Sequence, residues 1–268
     1  MKIKNRQLDA LAAKLFYILL TLAALACVFV IVFAIKGPKR SMFKVKQGTY
    51  DIDISSSYAT LDSTADYGQN YIDSITFLGD RTMQKMLDLK ILPGGKSSHQ
   101  VWSGEGGDIP LDSNVGDISV VFADSDEIVK LSDAISRRNP KYIIVTLGVS
   151  NGVSYCDKEK FCDYYQDVID VLKGNTSGTA IIIQSILPVS KKAEKKNPSV
   201  TNQKIDEANG WIVELCEKNG LKFLNTAVSL KDENGRLHQE FVSDDGLSMN
   251  EDGYKKMLKY IRTHGYIG

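Results

Sequence analysis

Ser74-Ile75-Thr76-Phe77-Leu78-Gly79-Asp80-Arg81-Thr82-Met83 changes character halfway along its length. An apolar β-type run stops at a Gly-Asp turn, and the residues that follow read as a helix. A strand that turns sharply into a helix is the opening unit of an α/β sheet, where ligands gather beyond the carboxyl ends of the strands. Asp80 and Arg81 are thereby placed on the wall of a candidate site, and the rest of the chain is read outward from them.

Downstream, apolar strand-like runs alternate with amphipathic helical ones, the pattern of a sheet with helices on both faces. Strands are expected at Ser74 to Leu78, Ile118 to Phe122, Tyr142 to Leu147, Ala180 to Ser185 and Lys222 to Leu224. Their β-branched, two-sided apolar character predicts parallel strands buried on both faces. A helix over Lys158 to Lys173 carries Phe161, Tyr165, Val168, Ile169 and Leu172 on one stripe. A second starts near Asn202 and stops at Asn219-Gly220; the last starts at the cap residue Asn250, with Glu251 and Asp252 in its first turn. These stripes read as core.

Upstream, residues 1–14 are polar and basic, and Leu15 to Ile35 is an uncharged apolar run of about 21 residues, enough to cross ~30 Å of hydrocarbon. It is read as a transmembrane helix. The competing reading, a cleaved signal peptide, requires a shorter apolar region and a small-x-small cleavage site, which Phe33-Ala34-Ile35-Lys36-Gly37 does not offer. Lysines and arginines on both sides of the run leave orientation undecided by the positive-inside rule. Residues 36–70 read as a spacer, and 71–268 as the folded domain.

The 33 basic and 33 acidic residues give no net charge, which argues against nucleic acid as the partner. The four cysteines have no Cys-x-x-Cys spacing, and His, Cys and carboxylates are not clustered at ligand spacing, so neither metal nor cofactor is implied. Cys156, Cys162 and Cys216 read as unpaired core residues, with a Cys156 to Cys162 bridge as the alternative outside the cytosol.

Four stretches carry a family resemblance. Gly79-Asp80-Arg81-Thr82 resembles block I of the SGNH (GDSL-type) hydrolases, Gly-Asp-Ser, with Arg81 where the family has its nucleophilic serine. Val101-Trp102-Ser103-Gly104-Glu105-Gly106-Gly107 falls where the glycine block II would lie. Tyr142 to Gly152 is similar to block III, a strand ending in Gly-x-Asn; Gly148 fits, Ser150 stands at the asparagine's place and Asn151 comes one position late. Asp244-Asp245-Gly246-Leu247-Ser248 looks like block V, Asp-x-x-His, with Ser248 in place of the histidine. The resemblance implies a flavodoxin-like three-layer sandwich around a mostly parallel sheet, and it orients the membrane helix read from Leu15 to Ile35 with residues 1–14 as a short cytoplasmic tail and the folded domain exported. It also implies that Gly104, Ser150 and Asn151 line an oxyanion-type position, and that Asp245 is the retained acid of the triad.

Serine chemistry needs a base within hydrogen-bond reach and preorganised donors for the oxyanion. His99, His238 and His264 match no motif position, and Thr82 is expected to cap the helix that follows it. Arginine is neither base nor nucleophile at accessible pH, but its planar fork pairs with carboxylates and phosphates. An Arg81–Asp245 ion pair filling the former reaction centre is therefore expected. The loop Pro188 to Pro198, with Lys191, Lys192, Lys195 and Lys196, is read either as a solvated rim or as an attractor of an anionic cell-envelope glycan or polymer. Two functions follow: a catalytically degenerate binding or scaffold module anchored at the cell envelope, or an esterase or carbohydrate O-acetyl esterase with a rearranged site. An accessory membrane subunit is a third reading that rests on the anchor alone.

Overall fold

The computed structural model describes residues 54–267. The expected membrane helix, the basic tail before it and Cys27 lie outside the described residues. Among the described residues no helix is long and apolar enough to cross a membrane.

In chain order the elements are α1 (Gly68–Asp73), β1 (Ile75–Gly79), α2 (Arg81–Asp88), β2 (Val101–Ser103), β3 (Ser119–Phe122), β4 (Glu127–Lys130) and α3 (Leu131–Arg138). Then come β5 (Tyr142–Thr146), α4 (Gly152–Tyr155), α5 (Lys158–Asn175), β6 (Ala180–Gln184), α6 (Lys191–Lys196), α7 (Asn202–Asn219), β7 (Lys222–Leu224) and α8 (Glu251–Arg262). The strands form one seven-stranded sheet in the order β4-β3-β2-β1-β5-β6-β7. β2, β1, β5, β6 and β7 run parallel, whereas β3 pairs antiparallel with β2 and β4 antiparallel with β3 at the edge. The parallel reading of Ile118 to Phe122 is thus corrected: β3 returns beside β2 through a loop without a crossover helix, and its alternate residues are only half-buried.

Burial on both faces follows from the two-residue period of the strands. On β1, Leu78 faces one apolar cluster while Ile75 and Phe77 face the other. On β5, Ile143 and Val145 join the first cluster, and Tyr142 and Ile144 the second. The first is closed by Phe161, Tyr165 and Leu172 of α5 and Ile205, Ala208 and Ile212 of α7. The second is closed by Met83 and Met86 of α2 and Tyr254, Met257 and Ile261 of α8. Each such side chain, moved fully out of water, contributes about 1.5–3 kcal/mol. The result is the three-layer, mostly parallel α/β sandwich that the SGNH resemblance implies.

Two assignments shift. The end of the stretch read as spacer belongs to the folded body: Ile54 and Ala59 are buried in the first cluster, and Thr60 bridges Phe223 beside β7. The lysine-rich stretch read as loop contains a short helix, α6, capped by the Ser190 side chain on Ala193 N–H. Cys156, Cys162 and Cys216 are free.

Candidate functional site

The registers Gly79↔Thr146 and Leu78↔Trp102 bring the carboxyl ends of β1, β2 and β5 to one edge. Three loops leave from there. The first is the turn into α2, which must be tight because Gly79 lies under Met83 and against the Thr146 carbonyl, where a Cβ would collide. Asp80 ends that turn. It is 1% exposed, and its Oδ1 accepts from Thr82 N–H at 2.9 Å, so Asp80 is the cap of α2 and Thr82 the residue it holds. This corrects the expectation that Thr82 does the capping. Burial raises the Asp80 carboxyl from 3.8 to about 6, partly opposed by the hydrogen bonds from Thr82 and with Asp108 adding to the rise.

Arg81 opens α2 with an exposed side chain. Its backbone N–H donates to Asp108 Oδ1 at 3.3 Å, and its Nη2 stands 3.7 Å from Asp108 Oδ2. Asp108 comes from the loop after β2, in which Gly104 has no space for a side chain, since a Cβ there would run into the Asp108 carbonyl. Ser150, from the loop after β5, donates to the same carboxylate at 2.7 and 2.9 Å. Gly148 lets that loop turn with a φ of 126° that only glycine adopts easily. Asn151 follows at φ 65° and precedes α4; its side chain makes no hydrogen bond among the described residues. Three donors from two loops therefore converge on one internal carboxylate, which is the geometry of a small anion receptor.

The fourth segment is a hairpin closed by the Val242↔Met249 bridge. At its tip the Asp245 carboxylate accepts from Ser243 Oγ at 2.6 Å, Leu247 N–H at 2.7 Å, Ser248 N–H at 3.1 Å and Ser248 Oγ at 3.1 Å. Led by the Ser243 hydroxyl, these bonds hold its pKa far below the usual carboxylate range. The hairpin is braced from α6: Ser190 Oγ donates to the Gly246 carbonyl at 2.6 Å and Lys192 Nζ to the Asp245 carbonyl at 2.7 Å. Lys191, Lys195 and Lys196 are exposed on the same short helix.

The expected Arg81–Asp245 ion pair does not form. Arg81 takes Asp108, and the Asp245 carboxylate bonds within its own hairpin. No histidine among the described residues donates to or accepts from Asp245. His238 engages Glu240, His264 stacks on Tyr260, and His99 lies before β2, at the opposite end of that strand from Gly104. Asp108 and Ser243 are the residues the motif reading missed. Ser243 was within reach of it, since a serine two positions before an aspartate in a turn is a local capping pattern; Asp108 was not, because its partners are set by the meeting of separate loops.

Among the described residues no group of three or more His, Cys, Asp or Glu side chains could hold a metal ion. No curated relative matches the sequence. Among solved structures the chain is similar to a GDSL-like lipase from Bacteroides thetaiotaomicron, with 14% identity over 73% of this chain and 89% of that one and a TM-score of 0.47. It is also similar to an acetylxylan esterase from Geobacillus stearothermophilus, with 13% identity over 72% of this chain and 94% of that one and a TM-score of 0.40. The model of the GDSL-like lipase/acylhydrolase family matches residues 95–256, more than half of the chain, and this protein belongs to that family.

Proposed function

We propose that this chain is a membrane-anchored, extracytoplasmic GDSL-family protein that has lost hydrolysis and binds anionic cell-envelope material, a glycan or other polymer, at the carboxyl edge of its sheet. The observation that carries this reading is the state of Asp245. The acid that would orient an imidazole is bonded instead by Ser243, Leu247 and Ser248 of its own hairpin, with Ser248 at the histidine's place. Arg81, at the nucleophile's place, cannot accept a proton or attack a carbonyl at accessible pH. What the edge retains is a set of anion donors, Arg81 and Ser150, with the α6 lysines on its rim. The anchor reading rests on the apolar run Leu15 to Ile35 and its length.

One observation favours a second reading. Ser150 Oγ is 2.7 Å from a carboxylate oxygen of Asp108, a hydroxyl–carboxylate pair of the kind an esterase with a rearranged site would need. A carboxylate is a poor base for a serine hydroxyl, and Arg81 stands on the same carboxylate. The full-length chain, assayed with p-nitrophenyl acetate and a serine-directed fluorophosphonate, separates the two. No turnover and no labelling are expected. Turnover or labelling that disappears in Ser150→Ala would establish the second reading. The double variant Arg81→Ser with Ser248→His restores the two residue types that serine chemistry needs and is expected to gain measurable esterase activity on the first reading.

A further inference from the structure

A second concave surface lies between α1, the turn after α2, and the outward stripe of α8, sharing no residue with the candidate site. It is a cleft of about 360 Å³. Its apolar part comes from the half-buried side chains of Ile91 and Leu258, with Ile72 wholly buried behind them. Its rim is cationic, with Lys90 on one wall and Lys255, Lys259 and Arg262 on the other, against the single carboxylate of Glu251. The α8 cations sit four and three residues apart, so they form one row on successive turns, spanning ~10 Å at 1.5 Å per residue.

Two of these charges are already balanced. Lys255 Nζ is 2.7 Å from Glu251, and Arg262 Nη2 is 3.0 Å from Asp66. Lys90 and Lys259 have no carboxylate within ion-pair distance among the described residues. The Arg262 Nε hydrogen, shielded from solvent, also has no acceptor among them.

Lys90 is unusual in its backbone as well. It sits at φ 54°, in the left-handed region, which for a side chain other than glycine costs on the order of 1 kcal/mol. Its stem lies against Gly95. A glycine would take this conformation without strain, whereas the lysine places a charge on the cleft wall.

We propose that this cleft is a docking groove for an acidic peptide segment of a partner protein that presents an apolar face. The charge of the rim selects a polyanionic partner, and the half-buried Ile91 and Leu258 between the walls select one with apolar side chains between its carboxylates. A small anion would be held by donors converging on one point, as at Asp108; here the cations are strung along a helix. A neutral apolar ligand would leave Lys90 and Lys259 unpaired. An amphipathic acidic helix meets both requirements, its apolar stripe on the floor and its flanking carboxylates on the two walls.

The test is fluorescence anisotropy on the full-length chain with three labelled peptides. One is a short helical peptide with leucine along one face and glutamate on both flanks. The second replaces glutamate by lysine, and the third keeps the glutamates without the leucines. Binding of the first alone is expected, weakening as salt rises and dropping about tenfold or more in the double variant Lys90→Glu, Lys259→Glu. Lys90→Gly is expected to keep or raise Tm while weakening binding, which separates a binding role from a structural one. Equal binding of the lysine peptide, equal binding of the leucine-free peptide, wild-type affinity in the double variant, or no binding of any peptide would each overturn the proposal.

Discussion

Arg81 and Asp108 meet in front of β1 through two contacts, a backbone N–H donating at 3.3 Å and a guanidinium at 3.7 Å. The two side chains are 78% and 27% exposed, so the ion pair itself is worth at most about 1 kcal/mol. The Ser150 hydroxyl, at 2.7 and 2.9 Å, adds its hold on the same carboxylate. An external carboxylate competes for the same donors, the Arg81 fork and Ser150 Oγ. The variant Asp108→Asn removes the internal anion and is expected to bind an oligogalacturonate several-fold more tightly than the wild type at low salt. Isothermal titration of both proteins checks this, and equal affinities would count against an anion-binding role for the edge.

The lysines of α6 do not all play one part. Lys192 donates to the Asp245 carbonyl and its stem covers Gly246, whereas Lys191, Lys195 and Lys196 are exposed without a carboxylate partner among the described residues. Serine at 191, 195 and 196 together is expected to weaken oligogalacturonate binding at low ionic strength, with the difference vanishing at high salt and Tm unchanged. Lys192→Ser is expected to lower Tm as well, because the hairpin loses a brace. A triple variant that binds like the wild type at low salt would confine the interaction to Arg81 and Ser150.

The parallel core was legible in the sequence because burial imposes a period. β1, β5 and β6 are runs rich in β-branched or aromatic residues, β7 is a short Lys-Phe-Leu run behind the Asn219-Gly220 helix stop, and α5, α7 and α8 carry single apolar stripes between recognisable caps. β2 and β4 were missed for opposite reasons. Val101–Ser103 is too short to show a period, and Glu127–Lys130 has charges at both ends because it is the outermost strand, with one buried residue. The helix α6 hid inside a run of lysines that has good helix formers but no apolar stripe. At the site, Gly79-Asp80 and Gly148 were readable because they follow the ends of β1 and β5, and the Asp245 hairpin because it leads into the helix capped by Asn250. The partner of Arg81 was not, since Asp108 is 27 residues away and reaches it only through the meeting of two loops.

The two helices that frame the edge are tied by one hydroxyl. Tyr254 of α8 is buried, and its OH donates to the Thr82 carbonyl in the first turn of α2 at 2.6 Å. Tyr254→Phe keeps the ring and its packing but deletes that donor. A loss of about 1 kcal/mol is expected, or about 2–4 °C in Tm for a domain of this size. Far-UV circular dichroism melts measure it. A Tm equal to the wild type would mean that water replaces the hydroxyl on the Thr82 carbonyl.

Asp80 makes the stability of the fold depend on pH in a direction opposite to most carboxylates. Its folded value, about 6, lies above its ordinary 3.8, because burial disfavours the charged form. Between those values the folded chain holds the proton that the unfolded chain has released, so stability falls as pH rises through that window and levels off above it. The difference corresponds to about 3 kcal/mol. Asp245 contributes the reverse trend, its stabilising hydrogen bonds being lost as pH falls, but it does so equally in any variant that leaves its hairpin alone. The difference between Asp80→Asn and the wild type therefore isolates Asp80. Asparagine remains a good helix cap, though its buried amide hydrogens gain no obvious acceptor, so a constant penalty is added at every pH. The quantity to follow is the change with pH: Tm of Asp80→Asn relative to wild type is expected to climb from about pH 4 to about pH 7 and then stay level. A relative Tm that does not move across that interval would show that the cap carboxyl titrates in the folded chain as it does in the unfolded one.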